Sequence, residues 1–118
     1  MQNPQHDSIF LKIIRREIPA TIEFEDDDVI AIHDINPVAP IHILIIPKKL
    51  IPTVNDIEPE DAPLVGKMFL VAKQIAAAKG LAERGYRLVM NVGKDGGQTV
   101  YHIHLHLIGG KALPFATA

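Results

Sequence analysis
The chain has 118 residues, a mass of 13.0 kDa and a formal net charge of −2, a size that suits one domain whose core needs no covalent staples. Its 47% apolar and 22% charged residues exclude a disordered or fibrous chain. The absence of cysteine excludes disulfides, thiolate zinc sites and a thiol nucleophile, and a slightly acidic chain without Trp gives no reason to expect a nucleic-acid partner.

Residues 1–7 are polar and read as a loose leader, without the charged start and apolar run of a targeting segment. Ser8 is placed to cap a helix over residues 9–17, with Ile9, Ile13 and Ile14 at helical spacing and Pro19 as its stop. Residues 22–25 and 29–34 read as strands. Asp26-Asp27-Asp28 between them suits a solvated hairpin tip and is given no function. Asn36-Pro37 and Pro40 mark a loop. The strongest strand covers residues 41–46 and closes at Pro47. That apolar run is too short to span a bilayer, so no membrane partner and a cytoplasmic location are expected. Residues 48–57 look irregular.

A long helix is expected over residues 59–79, with Pro59 in its first turn. Leu64, Met68, Val71, Ile75 and Ala78 form its apolar stripe, and Gly80 suits a left-handed end. Residues 86–91 read as a strand. Gly93, Gly96 and Gly97 punctuate the following loop, residues 100–108 read as the last long strand, and residues 111–118 form a tail. Short strands that are close neighbours in the chain predict an antiparallel sheet of about five strands with two helices to one side, an α+β fold.

The chemistry-bearing motif is Tyr101-His102-Ile103-His104-Leu105-His106-Leu107. Side chains alternate faces in a strand, so His102, His104 and His106 share one face while Ile103, Leu105 and Leu107 pack into a core. Three readings compete for the histidine face: a solvated surface, a metal site, or nucleophilic and acid–base chemistry at phosphorus or an acyl carbon. A metal could use two of the rings. All three cannot reach one ion, because His102 and His106 lie about 13 Å apart on an extended strand, and no carboxylate sits beside them in the sequence. No metal and no cofactor are therefore expected. Neutral imidazole is a good nucleophile, and a pKa near 6.5 keeps it neutral at pH 7.

The run His102-Ile103-His104-Leu105-His106-Leu107-Ile108 resembles the signature of the histidine-triad (HIT) nucleotide hydrolases and transferases. The likeness extends over most of the chain and is nearest to the Hint branch. It takes in Asp7-Ser8-Ile9-Phe10, Lys12-Ile13-Ile14-Arg15, Glu17-Ile18-Pro19-Ala20, Phe24-Glu25-Asp26-Asp27 and His33-Asp34-Ile35. It continues through Ala39-Pro40, His42, Ile46-Pro47-Lys48-Lys49, Asn91, Gly96-Gly97-Gln98 and Val100-Tyr101-His102. The resemblance implies a homodimeric purine nucleoside phosphoramidase. Such an enzyme releases AMP or GMP from phosphoramidates or aminoacyl adenylates.

By that resemblance His104 is the nucleophile that attacks the α-phosphorus and leaves a nucleotidyl-histidine for water to hydrolyse. The leaving amine needs a proton, for which His106 and His42 are both candidates. His102 has a mainly structural part. Gly97, Gln98 and Thr99 fall on the phosphate, with Thr99 where many relatives carry Ser, and Asn91 falls on the ribose or phosphate side. Asp34 is placed to accept the ribose hydroxyls. Ile9, Phe10, Ile13, Ile18 and Ile35 fall around the base; the residues alone would read as core. His33 and His6 read as loop or surface histidines. The long helix and the edge of strand 86–91 are hard to cover in so small a chain, so both are expected in the dimer interface, with Leu113-Pro114-Phe115 reaching the partner's site. The alternatives are a dinucleoside polyphosphate hydrolase and a nucleotide-binding scaffold without turnover.

Overall fold
A computed structural model describes residues 8–114; the leader, His6 and Phe115 lie outside the described residues. The elements in chain order are α1 (Ile9–Ile14), β1 (Ile22–Glu25), β2 (Val29–His33), β3 (Ile41–Pro47), α2 (Ala62–Ala78), β4 (Arg87–Val89) and β5 (Leu105–Gly109). The strands form one sheet in the order β1-β2-β3-β5-β4, every neighbour antiparallel. The α+β expectation of five strands and two helices therefore holds.

The helices do not share a side. On one face Val29, Ala31, Ile43, Ile45, Leu105 and Leu107 pack with Met68, Val71, Ala72, Ile75 and Ala76 of α2. On the other, Ile30, Ile32, Leu44 and Ile46 pack with Phe10 and Ile13 of α1. The middle strands β2 and β3 are thus covered twice. This explains why they read as continuous apolar runs rather than as alternating ones.

Ser8 caps α1: its hydroxyl accepts the Leu11 N–H at 3.0 Å. The helix ends earlier than Pro19 because Arg16 takes a left-handed φ of 64°. The amides of Arg16 and Glu17 then close onto the carbonyls of Ile13 and Lys12. The inward face also differs from the expected one: Phe10 and Ile13 are buried, whereas Ile9 is exposed. α2 starts at Ala62, after a separate tight turn at Pro59–Asp61. Its buried stripe is rotated toward Ala72 and Ala76 and omits Ala78. Gly80, at φ 77°, ends it as expected.

The hairpin tip is solvated and also tied down. Asp26 accepts the amides of Asp28 and Val29, and Lys67 of α2 reaches both Asp26 and Asp28. His33 pairs with Glu23 at 2.8 Å, in keeping with a surface histidine. The last two strands are shorter than expected. β4 covers only Arg87–Val89, and β5 begins at Leu105. Upstream of Leu105 the chain is held by the Ile103 N–H on the Ile51 carbonyl at 2.8 Å, outside the regular ladder with β3.

Candidate active site
The histidine motif keeps its alternation although half of it is not strand. Ile103, Leu105 and Leu107 enter the α2-side core, and the imidazoles form a row on the α1 side. Ring centroids of His104 and His106 are 5.0 Å apart, and the Phe10 ring lies edge-to-face with His104 and His102 at centroid separations of 4.9 and 5.9 Å. In the β3–β5 register Leu44 faces His106 and His42 faces Ile108, which makes His42 and His106 diagonal neighbours on one face.

Main-chain partners assign the tautomers. A carbonyl can only accept, so His102 donates Nε2–H to the Pro47 oxygen at 2.7 Å. His102 Nδ1 then accepts the Ser8 hydroxyl at 2.9 Å. Likewise His104 Nδ1–H donates to the His102 oxygen at 2.8 Å, which leaves the lone pair on His104 Nε2. An amide can only donate, so the Val38 N–H on His42 Nδ1 at 3.2 Å puts the His42 proton on Nε2. That proton points at His106 Nδ1, 3.0 Å away, and His106 must carry its own proton on Nε2. The two rings most exposed to an incoming group thus differ in kind: His104 offers a lone pair and His106 an N–H.

Burial holds the pKa of His102 and of His104 below the usual imidazole range, against the pull of the carbonyls that accept their protons. Burial, helped by the neighbouring His104 and His42, pushes His106 down to about 4. At neutral pH all three rings of the motif are neutral.

Asp34 reaches the same place. Its Oδ1 accepts the Asn36 amide at 2.8 Å, and its Oδ2 lies 3.4 Å from His42 Nε2. Asp34 thus makes the turn and also lies beside His42. No carboxylate sits beside the histidines in the sequence, but the β2–β3 pairing carries Asp34 to them.

The glycine loop is more closed on itself than expected. The Gly97 and Gln98 amides bond the Lys94 and Gly93 carbonyls. Gln98 Oε1 accepts the Gly93 N–H, and Gln98 Nε2 donates to the Pro52 and Val100 carbonyls. Gln98 is thus a brace, with its side chain buried. Asn91 Nδ2 donates to the Gly96 carbonyl and braces the same loop. Thr99 is exposed, and its hydroxyl is open to a ligand.

The residues expected around the base separate. Phe10 and Ile13 are core, Ile18 is half-buried against that core, and Ile9 and Ile35 are exposed, Ile35 to 90%. Ser8 was legible as a cap but its bond to His102 was not, because the two are far apart in the chain. The Pro47 oxygen and the Val38 amide carry no side-chain signal at all.

The HIT domain family model matches residues 15–113. The chain belongs to the HIT family. It is 58% identical over 107 residues to the purine nucleoside phosphoramidase of Escherichia coli K12, covering 91% of this chain and 90% of that protein. An uncharacterised HIT-like protein of Synechocystis is 52% identical over 93% of this chain and 94% of its own length. Among solved structures, a HIT family hydrolase from Legionella pneumophila superposes with a TM-score of 0.91 at 52% identity, covering 93% of this chain and 98% of that one. A HIT family hydrolase from Clostridium thermocellum gives 0.88 at 48% identity, with 92% and 95% covered. Within the HIT fold the imidazole row is the histidine triad of the name, and the chain is an enzyme of this hydrolase family.

Proposed function
We propose that this HIT protein hydrolyses purine nucleoside 5′-phosphoramidates, and aminoacyl adenylates by the same route, releasing AMP or GMP. The observation that carries the proposal is the tautomer of His104. Its Nδ1–H is held by the His102 carbonyl, so its Nε2 lone pair is free for phosphorus without any prior loss of a proton. Attack forms an N–P bond at Nε2 and breaks the bond from phosphorus to the leaving amine or acyl group. The phosphorylated ring is cationic, and its Nδ1–H stays on the same carbonyl, where a cation strengthens the hydrogen bond. Water then attacks phosphorus, His104 leaves as the neutral ring, and the nucleotide departs.

His106 supplies the N–H on the leaving-group side, with His42 behind it as a positioning residue. A bound phosphate anion raises the pKa of a nearby imidazole, so proton uptake by His106 accompanies substrate binding and provides the acid for the leaving amine. Thr99 holds a phosphate oxygen, on a loop kept in shape by Asn91, Gly97 and Gln98. Asp34 accepts the ribose hydroxyls, and Ile9, Ile18 and Ile35 flank the base over the buried Phe10 and Ile13.

The working form in this reading is a cytoplasmic homodimer. Phe69 and Leu70 on the outer face of α2 are exposed, and β4 is an edge strand with one free side. The 58% identity with a purine nucleoside phosphoramidase over nearly the whole chain supports the substrate class. The test is acid- or base-quenched single turnover with a phosphoramidate labelled at the α-phosphate. Labelled protein is expected in the wild type and none in His104→Ala. Turnover with no trapped label and inversion at phosphorus would make water the direct nucleophile.

A further inference from the structure
Two irregular segments meet beside the histidine row. Residues 48–53 follow β3 and residues 98–104 precede β5, and neither is helix or strand. Carbonyls from the end of β3 and along the first segment hold the second at three points. The Pro47 oxygen takes His102 Nε2–H at 2.7 Å, the Ile51 oxygen takes the Ile103 amide at 2.8 Å, and the Pro52 oxygen takes Gln98 Nε2 at 2.7 Å. The stretch 47–52 is therefore the template on which the first half of the histidine motif is laid. Lys49 pins that template to α2. Its Nζ meets Asp61 Oδ1 at 2.5 Å, and Asp61 Oδ2 accepts the Glu58 amide at 2.9 Å. Asp61 stands at the start of α2, and its side chain is only 4% exposed. An ion pair between two exposed groups would add little. Here one partner is buried, so removing Lys49 leaves a carboxylate oxygen short of its donor, and the segment must shift to hydrate it.

We propose that Lys49 and Asp61 are positioning residues for the reaction: their ion pair fixes residues 47–52 against α2 and thereby holds His102, whose main-chain oxygen keeps the His104 proton on Nδ1. The proposal rests on the catalytic reading above. Neither side chain touches the substrate. The effect falls on the histidine row more than on the glycine loop. Gln98 keeps its bonds to Gly93 and Val100 if Pro52 moves away. His102 Nε2–H, by contrast, finds its acceptors within this stretch, at Pro47 and the Lys49 main chain. A ring released from them no longer holds its own backbone in place, and the His104 Nδ1–H loses its fixed acceptor. Asp34 and the residues around the base lie on other elements, so the grip on the nucleotide is spared.

The test compares Lys49→Met, Asp61→Asn and the double variant with the wild type. Lys79→Met is the control, because Lys79 ties the far end of α2 to β1 through Glu23. Lys49→Met should lower kcat for a phosphoramidate at least about tenfold while changing the affinity for AMP less than about threefold. Asp61→Asn should do the same, and the double variant should be no worse than either single one. Lys49→Arg, which keeps the cation, should stay within about threefold of the wild-type kcat, and Lys79→Met should leave kcat unchanged. Proton NMR in water adds a readout that lost stability alone would not move. The slowly exchanging imidazole N–H resonance of His102 should broaden or vanish in Lys49→Met while the backbone amide signals of α2 and the sheet persist. Unchanged kcat in Lys49→Met would overturn the proposal. So would additive losses in the double variant, an equal loss in Lys79→Met, or kcat lost with the His102 resonance intact. A wild type that shows the His102 resonance but is inert toward phosphoramidates would count against the catalytic reading instead. The resonance in Lys49→Met would then still decide whether the ion pair holds the ring.

Discussion
Ser8→Ala removes one oxygen atom and two structural functions. The hydroxyl accepts the Leu11 amide at the start of α1 and donates to His102 Nδ1, and both Ser8 and His102 are buried. Loss of an N-cap costs about 1 kcal/mol. A buried ring nitrogen left without its donor costs about 1–3 kcal/mol more. The sum is about 2–4 kcal/mol, or a fall in Tm on the order of 10 °C for a chain of this length. Urea denaturation gives the free energy directly, and a double-mutant cycle with His102→Ala isolates the shared bond. The expected coupling is at least about 1 kcal/mol, because removing His102 also removes the unsatisfied acceptor. Turnover should fall too, since the displaced His102 carries the carbonyl that holds His104. A loss below about 0.5 kcal/mol, within the range of an ordinary surface substitution, or simple additivity in the cycle, would refute the hydrogen bond as the link between α1 and the histidine row.

Four further outcomes follow from the site. The motif histidines have folded-state pKa values below the unfolded value of about 6.5. The unfolded chain therefore binds more protons, and stability is lost as pH falls from about 6.5 toward the folded value of about 4 for His106. That group alone contributes up to about 3 kcal/mol of the loss, and a urea midpoint unchanged between pH 7 and about 5 would contradict the burial argument. For the same reason the acid limb of kcat/KM should lie below the ordinary imidazole pKa of about 6.5; a limb at about 6.5 would mean that another group controls it. Gly96→Ala should disrupt the loop and raise KM, because a Cβ there would meet the Val92 carbonyl oxygen at 2.3 Å; wild-type KM would show that the loop does not position substrate. Asp34→Asn should weaken discrimination between ribose and 2′-deoxyribose substrates, and an unchanged preference would restrict Asp34 to its turn and to His42.

Much of this was legible in the chain. The alternation in 102–107 set the two faces correctly, because burial of Ile103, Leu105 and Leu107 enforces it even where the backbone leaves the sheet. The Ser8 cap and the Gly80 stop depend on local chemistry and were both readable. What failed depends on distance in the chain. The placement of α1 opposite α2 follows from β2 and β3 being apolar on both faces, a pattern that a short run shares with a singly covered strand. The end of α1 at Ile14 rather than at residue 17 had no signal, since it is set by the left-handed Arg16 and arginine is no left-handed specialist. Asp34 looked remote from the triad because its approach is made by strand pairing. Gln98 looked like a phosphate ligand because nothing local reveals that the Pro52 carbonyl comes to meet it.

The proton positions in the imidazole row are set chiefly by main-chain groups: the Pro47 and His102 carbonyls and the Val38 amide. Carbonyls and amides have no titration of their own near neutrality and are supplied by almost any residue. The side chains at 38 and 47 can therefore drift without altering which nitrogen attacks, provided that position 38 keeps its N–H. In the proposed binding mode the mouth, by contrast, is built from exposed side chains such as Ile9 and Ile35. Substrate choice and reactive state are thus written in separate alphabets. Redesign of the mouth for another nucleotide can leave the chemistry untouched, whereas a single proline at position 38 would disturb it without changing any side chain in the row.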